Sequence, residues 1–361
     1  MIFFTPEFSH QKKFCVTVRK FCGKKQVADG LIHCRKIRTE EKGEKTMRKT
    51  CGTLIVVCFC LVAAASGSYA YTLRPPWVPQ TQFAGYYLAA EKGFYKKAGI
   101  DIEIRDGGPN TMGLREISNR DTDFAIAWLI PATRLRSQGE KLVHAGQFFQ
   151  RNSLLLLVRK SSGIDSVEKF AGHTLGVWPG DFQVPPRALL RKYGIADVKI
   201  IQQDFTMEPF FKGEVEIASA MRYNEYHQVL AGGIKAEELT VFSYSDLGMN
   251  LPEDGVYVHE DFYRKNPEVC QKFVQASMEG WKYALAHKDE TVQLMTKLAN
   301  ATPFKTTPEI QRIMLDEVEP LLDFGPAGTA LKKEDFQTAV EVLRSTGIIK
   351  TEPDYDTFTG K

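Results

Sequence analysis

Three of the chain's four tryptophans, Trp77, Trp128 and Trp178, each close an apolar run of strand character just before a turn or helix. In an open α/β sheet the carboxyl ends of the strands are where ligands bind, so three indoles at such ends can offer flat apolar faces to a flat solute. A tryptophan at a strand end can equally be core, and Trp281, inside a helical pattern, reads as core. Polar groups stand beside these rings. Gln80 and Gln82 follow Trp77, and Asp181 lies in Pro179-Gly180-Asp181-Phe182 after Trp178. Asp181 could accept from an amino group of a ligand, or cap its turn or the next helix. Arg222 ends a further strand, and Asn224 after it could cap a helix. Gly107-Gly108-Pro109-Asn110 opens a helix at Thr111, where free backbone N–H groups could hold an anionic or carbonyl oxygen; it could also be a simple tight turn.

The constellations of an enzyme are not found. The seven histidines are scattered, without metal-ligand spacing, and neither G-x-S-x-G nor a phosphate-binding glycine loop occurs. No catalytic residue, metal or cofactor is expected.

The elements that must carry these side chains alternate. Phe83, Tyr86, Tyr87 and Ala90 fall at i, i+3, i+4 and i+7, one face of a helix, with Gly93 placed to end it. Ile100, Ile102 and Ile104 then alternate with charged residues as a half-buried strand does. Strand and helix patterns continue to 244, and the apolar run 153–158 reads as a strand buried on both faces. This alternation predicts an α/β class with largely parallel sheets. From 261 onward the pattern is helical, over 267–287, 289–300, 308–322 and 334–345, with Thr307-Pro308 as a cap and first-turn proline.

The order of the motifs resembles a known family. W-x-P-x-x-x-F-A-G-Y-Y-x-A-x-x-K-G-F-Y-K-x-x-G-I-D-I-E-I from Trp77, followed by Gly107-Gly108-Pro109, D-F-A-I-A-W at 123–128, S-L-L-L-L-V-R-K at 153–160, G-V-W-P-G-D at 176–181 and M-R-Y-N-E-Y at 221–226 are similar to the periplasmic solute-binding proteins of ABC importers. The group concerned carries thiamine-precursor pyrimidines, alkanesulfonates, taurine and nitrate, and the resemblance covers 71–361. It implies a two-lobed periplasmic binding protein of type II-like form, with two hinge crossings and a C-terminal helical buttress. The smaller lobe is expected at 157–256, inserted into a larger lobe of 71–156 plus 257–361, with crossings near Arg159 and Val256. The resemblance also points to Tyr223, Asn224 and Glu225 as cleft residues. The same fold serves a fungal thiamine-pyrimidine synthase, so fold alone does not separate carrier from enzyme. The synthase's cofactor lysine and the histidine four residues on are matched by Ala127 and Pro131, and its cysteine-rich run by Asn250-Leu251-Pro252-Glu253-Asp254-Gly255. Without the lysine no Schiff base forms.

The start of the chain has a different character. Met47, Arg48 and Lys49 precede an apolar run over 54–65, and Ser68-Tyr69-Ala70 offers small residues at a cleavage site, the grammar of a secretory signal peptide at 47–70. Residues 1–46 then read as an over-long start. Of the 47 Lys and Arg, 13 lie in 1–70, with five of the 44 Asp and Glu, so 71–361 carries 34 basic and 39 acidic residues, net −5. No basic stripe with interleaved aromatics suggests nucleic acid. Six of the seven cysteines lie in 1–70, and Cys270 is left alone. The expectation is a soluble monomer in the periplasm that passes its solute to an ABC permease of the inner membrane. Trp77, Gln82, Trp128, Trp178, Asp181, Tyr223, Asn224 and Glu225 are the expected ligand-binding set. Aromatic planes with Asp181 and Glu225 suit a flat, nitrogen-bearing neutral or cationic ring, a thiamine-precursor pyrimidine first. A small anion held by Arg222 and the Gly107-Gly108 turn is the alternative; a sensor input domain would need a membrane or kinase partner.

Overall fold

The computed structural model describes residues 70–204, 206–325 and 328–361; the expected start segment and all but the last residue of the expected signal peptide lie outside them. Two five-stranded sheets organise the chain. The first is built from β1 (Ala70–Arg74), β2 (Asp101–Ile104), β3 (Phe124–Ala127), β4 (Leu142–Gln147) and β10 (Gly255–His259), in the order β2-β1-β3-β10-β4. The second is built from β5 (Leu154–Arg159), β6 (Thr174–Val177), β7 (Lys199–Gln202), β8 (Ile217–Met221) and β9 (Leu239–Ser243), in the order β7-β6-β8-β5-β9. The two orders are the same pattern, and in each the fourth strand is the one that arrives from the other sheet. That strand is antiparallel: β10 to β3 and β4, β5 to β8 and β9. A chain that enters a sheet from its carboxyl edge must run back down it, which explains the one break in otherwise parallel pairing. The α/β alternation is therefore as the sequence predicts, with β10 as the strand its pattern does not announce.

The chain changes sheets between Gln147 and Leu154 and between Ser243 and Gly255. Boundaries at 156/157 and 256/257 would cut β5 and β10, so sheet membership sets the crossings at 148–153 and 244–254 rather than near Arg159 and Val256. Polar side chains bind the two crossings to each other. Asn152 donates its backbone N–H to Asn250 Oδ1 at 2.9 Å and its amide to Leu251 O at 2.7 Å, while Asn250 donates to Gln150 O.

Helices cover the first sheet. α1 (Ala84–Glu91) follows a short 3-10 turn at Thr81–Phe83 and ends before Gly93, whose φ of +71° is the left-handed conformation that favours glycine. α2 (Gly113–Asn119) and α3 (Leu129–Ser137) follow β2 and β3, as α4 (Val184–Lys192) and α5 (Glu225–Ala231) follow β6 and β8. The C-terminal series is α6 (Pro267–Ala286), α7 (Lys288–Asn300), α8 (Pro308–Val318) and α9 (Lys333–Ser345). Thr307 caps α8 through its side chain to Ile310 N, with proline in the first turn, as the sequence suggests. α6 and α1 cross at two glycines: a Cβ on Gly280 would stand 2.0 Å from Gly85 O, and one on Gly85 would enter the Trp281 ring. Trp281 is fully buried there. Among the described residues no helix is long and apolar enough to cross a membrane.

Candidate functional site

The first sheet brings three site elements to its carboxyl edge. Trp77 lies in the loop after β1, half-buried, with Phe304 at 5.6 Å between ring centroids. That loop is held close to the next one: a Cβ on Gly107 would stand 2.3 Å from Pro75 O and 2.6 Å from both Trp77 N and O. Trp128 follows β3 and is half-buried. Gly255 pairs with Ala127 across the antiparallel β3–β10 ladder, so Asp254, just before β10, leaves the sheet beside Trp128. Leu129 N donates to Pro252 O and extends the contact. Gln82 reaches the same place, donating to Asp254 Oδ2 at 2.7 Å and accepting from Gln80.

The second sheet faces this edge with its own. Trp178 directly follows β6 and is buried, its indole N–H donating to Asp204 O at 3.1 Å. Phe182, 38% exposed, stands edge-on to both Trp178 (6.2 Å) and Trp128 (4.7 Å). One exposed phenyl ring thus joins the two tryptophan-bearing edges. Asp181 beside it is not a free acceptor: Arg134 of α3 donates Nε–H and Nη2–H to its two oxygens, each at 2.8 Å. A bidentate guanidinium–carboxylate pair satisfies a carboxylate in a fixed geometry, so Asp181 clasps the two lobes and the structure does not place it as a lone amino-group acceptor. A second strap joins α5 to α8, His227 Nε2 to Glu317 Oε1 at 2.9 Å. Beside the clasp, Arg134, Gln183, Arg187, Leu190 and Ile348 line an open cleft of about 540 Å³.

Tyr223, Asn224 and Glu225 follow β8 as expected. Asn224 stands at the cap position of α5 without capping it, its side chain donating to Glu225 Oε1 at 2.8 Å. Glu225 Oε2 accepts from Met221 N at 2.9 Å, so this buried acid closes its own turn. Tyr223 Oη donates to Glu253 Oε2 at 3.2 Å, and Glu253 takes the backbone N–H (2.5 Å) and hydroxyl (2.9 Å) of Ser153 on its other oxygen. Ser153 starts the strand reached by the first crossing, and Glu253 ends the second. Burial pushes all three carboxyls up: Glu225 to about 7, Glu253 to about 8 with Asp254's charge adding to the effect, and Asp254 to about 7.

Glu253, Asp254, Arg134, Phe182 and Phe304 were not in the expected set. The first two carry a signal the sequence does hold, adjacent acids in a short apolar run, Leu251-Pro252-Glu253-Asp254-Gly255, between two strands. Arg134 and Phe182 become meaningful only once the two edges face each other. Arg222, the cation of the anion alternative, lies over the Tyr226 ring at 5.5 Å. Ala127 lies buried in β3 and Pro131 in the first turn of α3.

The NMT1/THI5 like family matches residues 80–291, more than half of the chain. The chain belongs to that family. Among curated proteins it is 30% identical over 231 residues to a riboflavin-binding protein of Chloroflexus aurantiacus, covering 62% of this chain and 64% of that protein's length. It is 22% identical over 223 residues to a 4-amino-5-hydroxymethyl-2-methylpyrimidine phosphate synthase of Saccharomyces cerevisiae, covering 58% and 65%. The periplasmic aliphatic sulphonate binding protein of Escherichia coli superposes with a TM-score of 0.64 at 16% identity, over 80% of this chain and 91% of that one. At that identity the likeness establishes the two-lobed binding-protein fold and nothing about the solute.

Proposed function

We propose that this protein is a periplasmic solute receptor that holds a flat, nitrogen-bearing heteroaromatic solute between its lobes, a thiamine-precursor pyrimidine being the first choice, and delivers it as a monomer to an ABC permease of the inner membrane. The observation that carries this reading is the convergence of Trp77 with Phe304, and of Trp128 with Phe182 and Trp178, on the facing carboxyl edges of the two sheets. Aromatic faces bind a flat ring by offset stacking and exclude water from it. The electrostatics favour a donor-bearing ring over an anion. Glu225, Glu253 and Asp254 are buried at the junction with their carboxyls pushed up by burial, so an anion finds no cation among them and meets like charge in whatever fraction is ionised, whereas a ring N–H finds acceptor oxygens. The riboflavin-binding relative, whose name records another flat nitrogen heterocycle, supports the same class of solute. Ala127 and Pro131, at the places matched to the synthase's lysine and histidine, support binding rather than catalysis.

Closure is a hinge motion at the two crossings, favoured by a solute that touches both lobes. Calorimetric titration of the chain from 71 onward with 4-amino-5-hydroxymethyl-2-methylpyrimidine, riboflavin, an alkanesulfonate, taurine and nitrate tests the reading. A heteroaromatic ring should bind tightest; binding confined to the sulfonate, taurine or nitrate refutes it.

A further inference from the structure

Four carboxylates stand where the two sheets meet, and three of them have both oxygens occupied. Asp181 is held by Arg134, Glu225 by Met221 N and Asn224, and Glu253 by Ser153 and Tyr223. Asp254 differs. Gln82 holds Oδ2, while Oδ1 is buried without a hydrogen-bond donor. A buried acceptor with no partner loses the full solvation of that oxygen and persists only where something compensates. Asp335 also keeps a buried oxygen without a partner, but it belongs to helix α9 and to neither strand edge.

Two further observations single out Asp254. Its φ of +52° is left-handed, a conformation that disfavours a residue with a Cβ, and Gly255 stands directly after it without taking that strain. Its register position is fixed, one residue before the Gly255–Ala127 pair and therefore level with Trp128. Two buried tyrosines, Tyr86 and Tyr257, feel its charge, and Tyr257 Oη is likewise without a hydrogen-bond partner. Strain at one residue, an oriented carboxylate with one oxygen left over, and an aromatic residue level with it at the strand edge are the components of a directional acceptor for a ring N–H.

We propose that Asp254 is the residue that reads a ring N–H or amino group of the solute, accepting it on Oδ1 while Gln82 fixes Oδ2, in place of the Asp181 that the sequence suggests for this task. This deepens the receptor reading above and rests on it. A site built to accept a hydrogen bond rejects an isostere lacking the donor much more strongly than an apolar pocket rejects a methyl group.

The test compares each probe with its methylated form: 4-amino-5-hydroxymethyl-2-methylpyrimidine with its N,N-dimethylamino derivative, and riboflavin with its ring-N-methylated derivative. Wild type should bind the tighter parent at least about tenfold better than its methylated form. Asp254→Asn, which places an amide that can turn its N–H outward, should lose most of that discrimination, with the methylated form bound as before. Equal binding of parent and methylated probe by wild type overturns the proposal while leaving the receptor reading intact, as does undiminished discrimination in Asp254→Asn. If that variant does not fold, Gln82→Leu reads the same point by releasing Oδ2, and unchanged discrimination in it overturns the proposal. If wild type binds only an alkanesulfonate, taurine or nitrate, both the receptor reading and this inference fall, and the wild-type panel shows it before any variant is made.

Discussion

Trp128 and Asp254 leave the first sheet side by side, because Ala127 and Gly255 are partners in the antiparallel β3–β10 ladder. Backbone register thereby puts an indole-bearing and a carboxylate-bearing residue level with each other at the edge of the sheet. The first prediction follows from the difference between this indole and Trp178. Trp128 is half-buried and presents to the other lobe an indole that meets an exposed phenyl edge, whereas Trp178 is buried and hydrogen-bonded to Asp204 O. Trp128→Ala should therefore weaken solute binding about tenfold with the melting temperature little changed, since a stacked ring contributes about 0.5–1.5 kcal/mol beyond its buried area. Trp178→Ala should destabilise the fold by about 3–5 kcal/mol. Calorimetric titration beside thermal melts separates the two; the reverse assignment would place the solute on Trp178.

The clasp between Arg134 and Asp181 makes a weaker demand. Both side chains are about a quarter exposed, 24% and 27%, and a pair screened to that degree contributes no more than about 1 kcal/mol. Asp181→Asn should lower affinity by at most about fivefold, equally for a ring with an N–H and for its methylated form. Small-angle scattering without solute should show a more open average shape. A loss selective for the N–H-bearing probe would make Asp181 a ligand group instead.

The expected alternation of helix and strand survives in the fold because each pattern is local: period-two isoleucines, a helical stripe closed by Gly93, a proline-led cap at Thr307. Of the candidate site, the placing of its tryptophans at strand ends was what the sequence made legible. Trp77, Trp128 and Trp178 stand at strand ends, which hydropathy marks, but the partner of each polar side chain depends on how the sheets face each other. Asp181 and Glu225 carry the right chemistry for a ligand acceptor, yet Arg134, 47 residues from Asp181, satisfies one, and the backbone of Met221 satisfies the other. Glu253 and Asp254 escape a reading by periodicity because β10 enters from the other lobe, and its start coincides with the edge of β3 only in three dimensions.

Gly107 tests how the Trp77 loop is positioned. Its missing side chain lets two loops pass, and the atoms a Cβ would meet, Pro75 O and the Trp77 backbone, are not the tips of flexible side chains. Gly107→Ala should displace Trp77 and weaken solute binding more than tenfold, at a stability cost of about 1–3 kcal/mol for an overpacked site. Gly108→Ala, whose Cβ would find only Val78 Cγ1 at 3.9 Å, is the control and should bind normally. Equal behaviour of the two variants in titration would show that the loop does not set the Trp77 position.

The three buried carboxyls predict how stability depends on pH. Each folded-state pKa is raised by burial, to about 7 for Glu225 and Asp254 and about 8 for Glu253, above the values near 4 of an unfolded chain. A raised acid binds its proton more tightly folded than unfolded. Its contribution is therefore fully present below the unfolded value and is lost as pH rises through the folded one. Exposed acids with lowered values, Asp261, Glu290 and Asp354 among them, act in the opposite sense but only toward the acid end. Between pH 5 and 9 the buried group should dominate, so the melting temperature should fall across that range. Glu253→Gln keeps an oxygen for Ser153 and removes the charge that ionisation would bury, so it should flatten the fall above pH 7 while leaving the melt at pH 5 within a few degrees of wild type. Thermal melts of both proteins at pH 5, 7 and 9 measure this. A wild-type melting temperature that rises toward pH 9, or a slope unchanged by Glu253→Gln, would mean that these carboxyls are charged at the crossing, with positive groups or water compensating them.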